Sequence, residues 1–396
     1  MNRARVLYLD VPFENESGGD KNRSRFLFDA LREQFATDLV LIGSEGTPGK
    51  PAWTRHQPLA TLATLPAPFP RPASTPSFPA ADREKFLQLL RANRYDLVFC
   101  RFTIAWELLE QIAATAPATA VVVDVDMVSS RLVALTWAAH RSFKKRWFLF
   151  EKWKLQRFER NLFCKPWLFL FTNSTELADV RDLVAPQPAP GLFEVLPNIM
   201  PRLAEPAVER QPVILFFGSL DSSANVDGFQ FLVDEVLPLI EADLKRHGVM
   251  IHIAGKNPPA AFAERLRAIG TDRVKLVGPV DSIERAIAAA QFVLLPLRIA
   301  SGTRTRILEA AAVGRAVVTT TIGAEGLDLG DTVFIGDNAE ALAVHTRKLL
   351  ENRSLAENAG RRLRERSTAL YAASNVAVDL AAKLEKFLSR GKGGSA

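Results

Sequence analysis

Cysteine is scarce in this chain. Only Cys100 and Cys164 occur in 396 residues, so neither a disulfide framework nor a cysteine-rich metal site is indicated. The five histidines form no cluster with metal-ligand spacing, which removes the common zinc patterns. No run of about twenty apolar residues is present, so no membrane-spanning helix is expected. No secretory leader is recognised, and a reducing cytoplasm is the expected setting.

What is present suits a soluble two-domain protein. Apolar residues make up 48% of the chain, ample for two cores, and the length fits two domains of ordinary size. The net charge of +6 is a modest basic excess. It favours phosphate-rich partners such as nucleotides, anionic lipid or nucleic acid, without choosing among them.

One stretch organises the rest. Phe292 to Leu295 reads as a buried strand. Leu297 to Ala300 is a loop, and Ser301-Gly302-Thr303 is a small polar triplet. The spacing then predicts a helix over Arg304 to Val313, stopped by Gly314, and a strand over Ala316 to Thr320. Strand, turn, helix and strand make a βαβ unit, hence a parallel sheet. The helix start suits an anion, because its first N–H groups lack partners and the dipole adds positive charge there. Ser301 or Thr303 is the expected N-cap, and Gly302 permits close approach to the backbone. Arg304 and Arg306 oppose the dipole rule. Either a bound phosphate resolves that conflict, or both are solvated, with Arg306 pairing Glu309 at i,i+3. Ionised Glu309, an acceptor only, suits two ribose hydroxyls.

Four pieces carry a family resemblance. They are FFGSLDSSANVDGFQFLVDEVLPLI from Phe216, IHIAGKNPP from Ile251, VKLVGPVDSIERAIAAAQFVLLPL from Val274 and ASGTRTRILEAAAVGRAVVTTTIGAEGLDL from Ala300. In this order they resemble the C-terminal domain of retaining glycosyltransferases of the two-Rossmann-domain, family-four type. The SGTR form resembles enzymes that build bacterial surface polysaccharides. The resemblance implies the GT-B fold: two Rossmann-like α/β domains facing across a cleft, with a C-terminal helix crossing back to the first. The implied boundaries are 1–203 for the acceptor domain, 204–370 for the donor domain and 371–390 for the returning helix.

The same resemblance assigns roles. Arg304 and Lys256 would meet the donor phosphates, aided by the N–H groups of Gly302 and Thr303. Glu309 would hold the ribose, and Ser301, Gly218 and Ser219 would complete the donor site. Relatives often place an Arg and a Lys in the loop after the first strand of this domain. Here Ser219 and Asn225 stand instead, which shifts the phosphate role to Arg304. Ser301 replaces a Glu that touches the donor sugar in relatives, so the sugar's identity does not carry over. No metal or other cofactor is expected.

In the first half, RVLYLD (Arg5 to Asp10) reads as a strand, and Gly18-Gly19 opens a helix. That Gly-Gly is either a structural turn or, as the resemblance implies, a turn facing donor and acceptor, with Lys21, Arg23 and Arg25 nearby for an acceptor phosphate. Arg101 follows strand DLVFC. It is either a surface arginine or a cleft residue, since ligands gather beyond strand ends in open sheets. Asp124-Val125-Asp126 ends another strand. Asp126 is the acceptor-side catalytic candidate by resemblance, where relatives often carry His. The pair equally suits a cap for the next helix.

Arg141 to Lys165 stands apart, with nine basic residues, two acidic ones and seven Phe or Trp. Such a helix suits an anionic membrane surface. It equally suits a core helix with its aromatics inward. Nucleic acid is not expected as a partner, since nothing else supports stacking on bases. The combined expectation is a retaining, metal-independent hexosyltransferase. It would move sugar from a nucleotide-sugar to a saccharide or lipid-linked acceptor, peripheral to the inner membrane face. A nucleotide-sugar epimerase and a non-catalytic scaffold on the same fold are the rival readings.

Overall fold

The computed structural model describes residues 3–12, 19–43, 58–67, 71–72, 75–139, 145–185, 191–202, 208–220, 222–300, 302 and 304–393. The chain divides into two compact units. Unit one takes Met1–Ala134, Ser142–Asn198 and Ala373–Ala396, and unit two takes Leu135–Arg141 and Ile199–Ala372.

Unit one alternates strand and helix. Its elements are β1 (Arg5–Asp10), α1 (Gly19–Gln34), β2 (Ala36–Ile42), β3 (Ala60–Leu62), α2 (Ala80–Asn93), β4 (Leu97–Arg101) and α3 (Trp106–Thr115). There follow β5 (Ala120–Val125), α4 (Ser129–Ala139), α5 (Lys145–Phe163), β6 (Leu168–Phe171), α6 (Ser174–Val184) and β7 (Leu192–Val195). The seven strands pair in parallel in the order β3-β2-β1-β4-β5-β6-β7. Parallel neighbours require helical crossovers, which cover both faces of the sheet. That is why LVFC, VVV of β5 and LFLF read as unbroken apolar runs and are buried along their lengths.

Helix α5 has an inverted face. Glu151, Leu155, Glu159 and Leu162 point inward and are buried, while Leu149, Phe150, Trp153 and Arg157 are exposed. Glu159 Oε1 accepts from Ser130 N, 3.0 Å away at the start of α4, so a buried carboxylate caps that helix. Asp124, near the end of β5, is taken by Arg23 and Arg101 instead. Burial pushes Glu159 up to about 7.

Unit two carries β8 (Val213–Phe217), α7 (Ser223–Phe231), α8 (Leu237–His247), β9 (Met250–Ala254), α9 (Ala260–Ile269), β10 (Val274–Gly278), α10 (Ile283–Ala289) and β11 (Phe292–Leu295). It continues with α11 (Thr305–Ala312), β12 (Val317–Thr319), α12 (Thr321–Ala324), β13 (Phe334–Ile335), α13 (Ala339–Glu351) and α14 (Arg353–Tyr371). The sheet is again parallel, in the order β10-β9-β8-β11-β12-β13. Strand order therefore reverses between β8 and β11, the switch point where open α/β sheets form a crevice. A single π turn, Leu232–Val236, separates α7 from α8. Pro238 causes this, because it has no N–H to continue the ladder.

The C-terminal helix, α15 (Ala373–Gly393), belongs to unit one. Its Val376, Leu380 and Leu384 are buried at helical spacing.

Candidate functional site

The crevice of unit two is lined by the turn after β8 and by α11, the helix after β11. Arg306, in the first turn of α11, reaches across it. Its Nη1 donates to Phe217 O at 3.1 Å and to Asn225 Oδ1 at 2.5 Å. Asn225 is buried and turns its Nδ2 to Ser219 O at 2.6 Å, so one amide fixes the turn and the arginine together. The turn has no room for a side chain at Gly218, whose φ of +149° also favours glycine. Burial lowers the Arg306 pKa to about 10, with Glu309 opposing that shift. The i,i+3 contact with Glu309 is not a hydrogen-bonded ion pair here. Nη1 prefers the two neutral oxygens.

Arg304 behaves differently. It is buried, its Nη2 pairs with Glu325 at 3.0 Å, and its Nε donates to Ile322 O at 2.9 Å. A further hydrogen bond joins Nη1 to Gly302 O. Arg304 thus ties the start of α11 to α12 and the residue after it. Arg304 directly precedes α11 and makes no side-chain cap; the expected caps are Ser301 or Thr303. Those two residues, like Gly18, lie outside the described residues.

Glu309 sits one turn beyond Arg306 on the same helix. Burial pushes it up to about 7, Arg306 works against that, and Glu284 adds to it. Gly302 is buried with φ +74°. Lys256 is exposed, and its carbonyl accepts from Leu220 N at 3.0 Å. Gly218 and Ser219 form the turn after β8, Lys256 and Arg306 meet it, and Glu309 lies beside Arg306 on α11.

Unit one has the same kind of switch point, between β1 and β4, and fills it with its own charges. Arg23 and Arg101 are fully buried, as are Asp10 and Asp124. Arg23 Nη2 meets Asp124 Oδ1 at 2.5 Å, and Arg101 Nη1 meets Asp124 Oδ2. Asp126, partly exposed, lies 3.5 Å from Arg101 Nη1. Arg23 also donates to Leu196 O at 3.0 Å and Pro197 O at 2.8 Å. Burial pushes Asp124 up, but the two arginines outweigh it and hold the carboxyl low. Asp10, hydrogen-bonded by Tyr8 at 2.9 Å, is raised to about 6 by burial. Two expectations are corrected here. Arg101 does not present its guanidinium to an acceptor, and Arg23 is committed to Asp124 rather than open to an acceptor phosphate. Gly19 is the first residue of α1.

Sequence reasoning missed Arg23, Asp10 and Glu325 as structural partners. The one available signal was position: each follows or faces a strand end. Among the described residues no group of three or more His, Cys, Asp or Glu is placed to hold a metal ion. Among them, too, no helix is long and apolar enough to cross a membrane.

Comparison with known proteins agrees with this architecture. Residues 211–352 match the family model described as glycosyl transferases group 1. Sucrose-phosphate synthase from Thermosynechococcus elongatus superposes with a TM-score of 0.69 at 17% identity, covering 98% of this chain and all of that one. Anabaena Alr3699/HepE in complex with UDP and glucose gives 0.65 at 15%, covering 96% and 99%. A glycosyltransferase from Rickettsia africae gives 0.67 at 12%, covering 98% and 99%. Among curated proteins no sequence matches this one. With its two parallel Rossmann-like sheets, the chain has the GT-B fold, and its residues 211–352 match the group 1 glycosyltransferase model.

Proposed function

We propose that the protein moves a sugar from a nucleotide-sugar donor to a saccharide or lipid-linked acceptor, with retention of anomeric configuration and without a metal. The observation that carries this reading is the pairing, on one turn of α11, of a cation and a carboxylate at the switch point of a group 1 domain. The hard step breaks the bond between the anomeric carbon and the phosphate oxygen. The nucleoside diphosphate departs with the bonding electrons, so fixed positive charge at its position lowers the barrier. Arg306, Lys256 and the backbone around Gly302 supply that charge. Glu309 accepts from the ribose hydroxyls, and Asp126 is the acceptor-side carboxylate. HepE, which binds UDP and glucose, supports a nucleotide-sugar donor.

The outer face of α5 supports a membrane-associated acceptor. Phe150 and Trp153 stack at 6.0 Å in the exposed stripe, with Lys154 5.3 Å from the Phe150 ring and Arg157 5.8 Å from that of Trp153. Exposed rings flanked by cations suit anionic headgroups and the acyl boundary beneath them. Polysaccharide synthesis at the inner face of the membrane follows as the setting.

The test is a binding titration against UDP, GDP, ADP and dTDP, followed by donor hydrolysis with the nucleotide that binds. Selective binding of one nucleotide, with release of its sugar, supports the reading. Binding without turnover on any sugar donor moves a scaffold role to the front, and no binding at all removes the donor site. Sedimentation with vesicles containing phosphatidylglycerol, but not with neutral ones, is the expected result for α5.

A further inference from the structure

We infer that Arg306, not Arg304, takes the diphosphate of the nucleotide, reaching the turn after β8 from α11. The inference rests on the donor reading above and names the residue that discriminates charge within it.

Arg306 makes no hydrogen-bonded ion pair among the described residues. Among the described residues its hydrogen bonds run only from Nη1, to a carbonyl and an amide oxygen. Neither acceptor carries charge. A guanidinium has five N–H donors in a planar fork, and the unused edge fits two oxygens of a phosphate. Burial has taken much of this group from water, and the nearby Glu309 carboxylate offsets that only in part without forming a hydrogen-bonded pair; the lowered pKa is the electrostatic trace of that. An arriving phosphate would relieve it.

Arg304 is already satisfied. Glu325, Ile322 O and Gly302 O occupy its fork. A phosphate there would have to displace a carboxylate, so Arg304 is a positioning residue for α12.

The two switch points of the molecule sharpen the contrast. In unit one the buried arginines, Arg23 and Arg101, bring their own carboxylates, Asp124 and Asp126. In unit two Arg306 is hydrogen-bonded only to neutral oxygens, with Glu309 nearby but unbonded to it. The backbone around it is also bare. A Cβ at Gly255 would lie 1.9 Å from Gly218 O, and one at Gly218 would lie 2.9 Å from Arg306 Nη1. Glycine at both positions keeps the turn tight and low, with the guanidinium at its floor. A nucleoside diphosphate is the ligand class this fits, because the cation and the Glu309 carboxylate lie on neighbouring turns of one helix. They match a phosphate and a ribose in that order.

Calorimetric titration of the full chain with a nucleoside, its monophosphate and its diphosphate tests this, using the base that the wild type binds. The wild type is expected to bind the diphosphate far more tightly than the nucleoside. Arg306→Gln should close most of that gap, weakening the diphosphate at least tenfold while nucleoside binding holds. Arg306→Lys should restore part of it, which separates lost charge from lost fold. Arg304→Gln should leave the gap standing. A gap that survives in Arg306→Gln, or collapses in Arg304→Gln, overturns the inference while leaving the donor site in place. Failure of the wild type to bind any nucleotide is a different result, and it removes the donor reading itself.

Discussion

A Cβ built on Gly218 would stand 2.9 Å from Arg306 Nη1 and 2.7 Å from Asn225 Nδ2. The turn after β8 and the first turn of α11 are therefore fitted to each other through a missing side chain. Gly218→Ala should push the guanidinium out of its seat, with added strain from the +149° φ. Nucleotide affinity should fall about tenfold, a loss of roughly 1.4 kcal/mol. The far-UV circular dichroism should be unchanged. Retained affinity would show that the seat of Arg306 does not matter to the ligand.

Glu309 predicts a pH dependence. Burial has raised its pKa to about 7, and only the ionised form accepts from two hydroxyls. Nucleotide binding should therefore strengthen as pH rises from 6 to 8, by several-fold. Glu309→Gln should bind more weakly at pH 8 and show a flat profile. A wild-type profile with no slope across pH 7 would contradict the ribose role.

The sequence shows this helix plainly but not where its arginine goes. The strand β11 was legible because an apolar run between turn residues marks a strand buried on both faces. α11 was legible from its 3.6-residue period. The partners of Arg306 lie 89 and 81 residues back in the chain, and no local pattern reports such a distance. The Arg23–Asp124 pair spans 101 residues. β3, β7 and β13 have three, four and two residues, too short for a period to register. α5 misled in a subtler way. Its aromatics and acids were visible, but which face is inward depends on Ser130 N, which takes Glu159 as its acceptor.

The charge network in unit one should be costly to break. Asp124 is fully buried between two guanidinium groups. Asp124→Asn would leave two buried cations short of a partner, a loss of about 3–5 kcal/mol. Urea unfolding should show the midpoint falling accordingly. Because the folded pKa of Asp124 is lowered, its contribution is present above the ordinary carboxylate range and is lost as pH falls. The variant should therefore lie closest to wild type in acid.

Glu159 has the opposite sign. Its folded pKa is raised from 4.5 to about 7, so folding favours the protonated form. The native state keeps its full stability below the unfolded pKa and loses it as pH rises through 7. Glu159→Gln keeps an oxygen for Ser130 N and removes the ionisation. It should match wild type near pH 4 and exceed it at pH 8 by about 1–3 kcal/mol, read as a higher thermal midpoint. Equal midpoints at both pH values would mean that Glu159 ionises without penalty.

The placement of α15 bears on how the chain is made. Unit two is almost continuous in sequence, whereas unit one waits for Val376, Leu380 and Leu384 to cover it. Lys386 reaches Glu194 across 192 residues. During synthesis from the N-terminus, unit two can close while unit one, begun first, is still short of its last helix. The earlier-made half then finishes last, and its apolar surface beneath α15 is what a chaperone would meet on the ribosome.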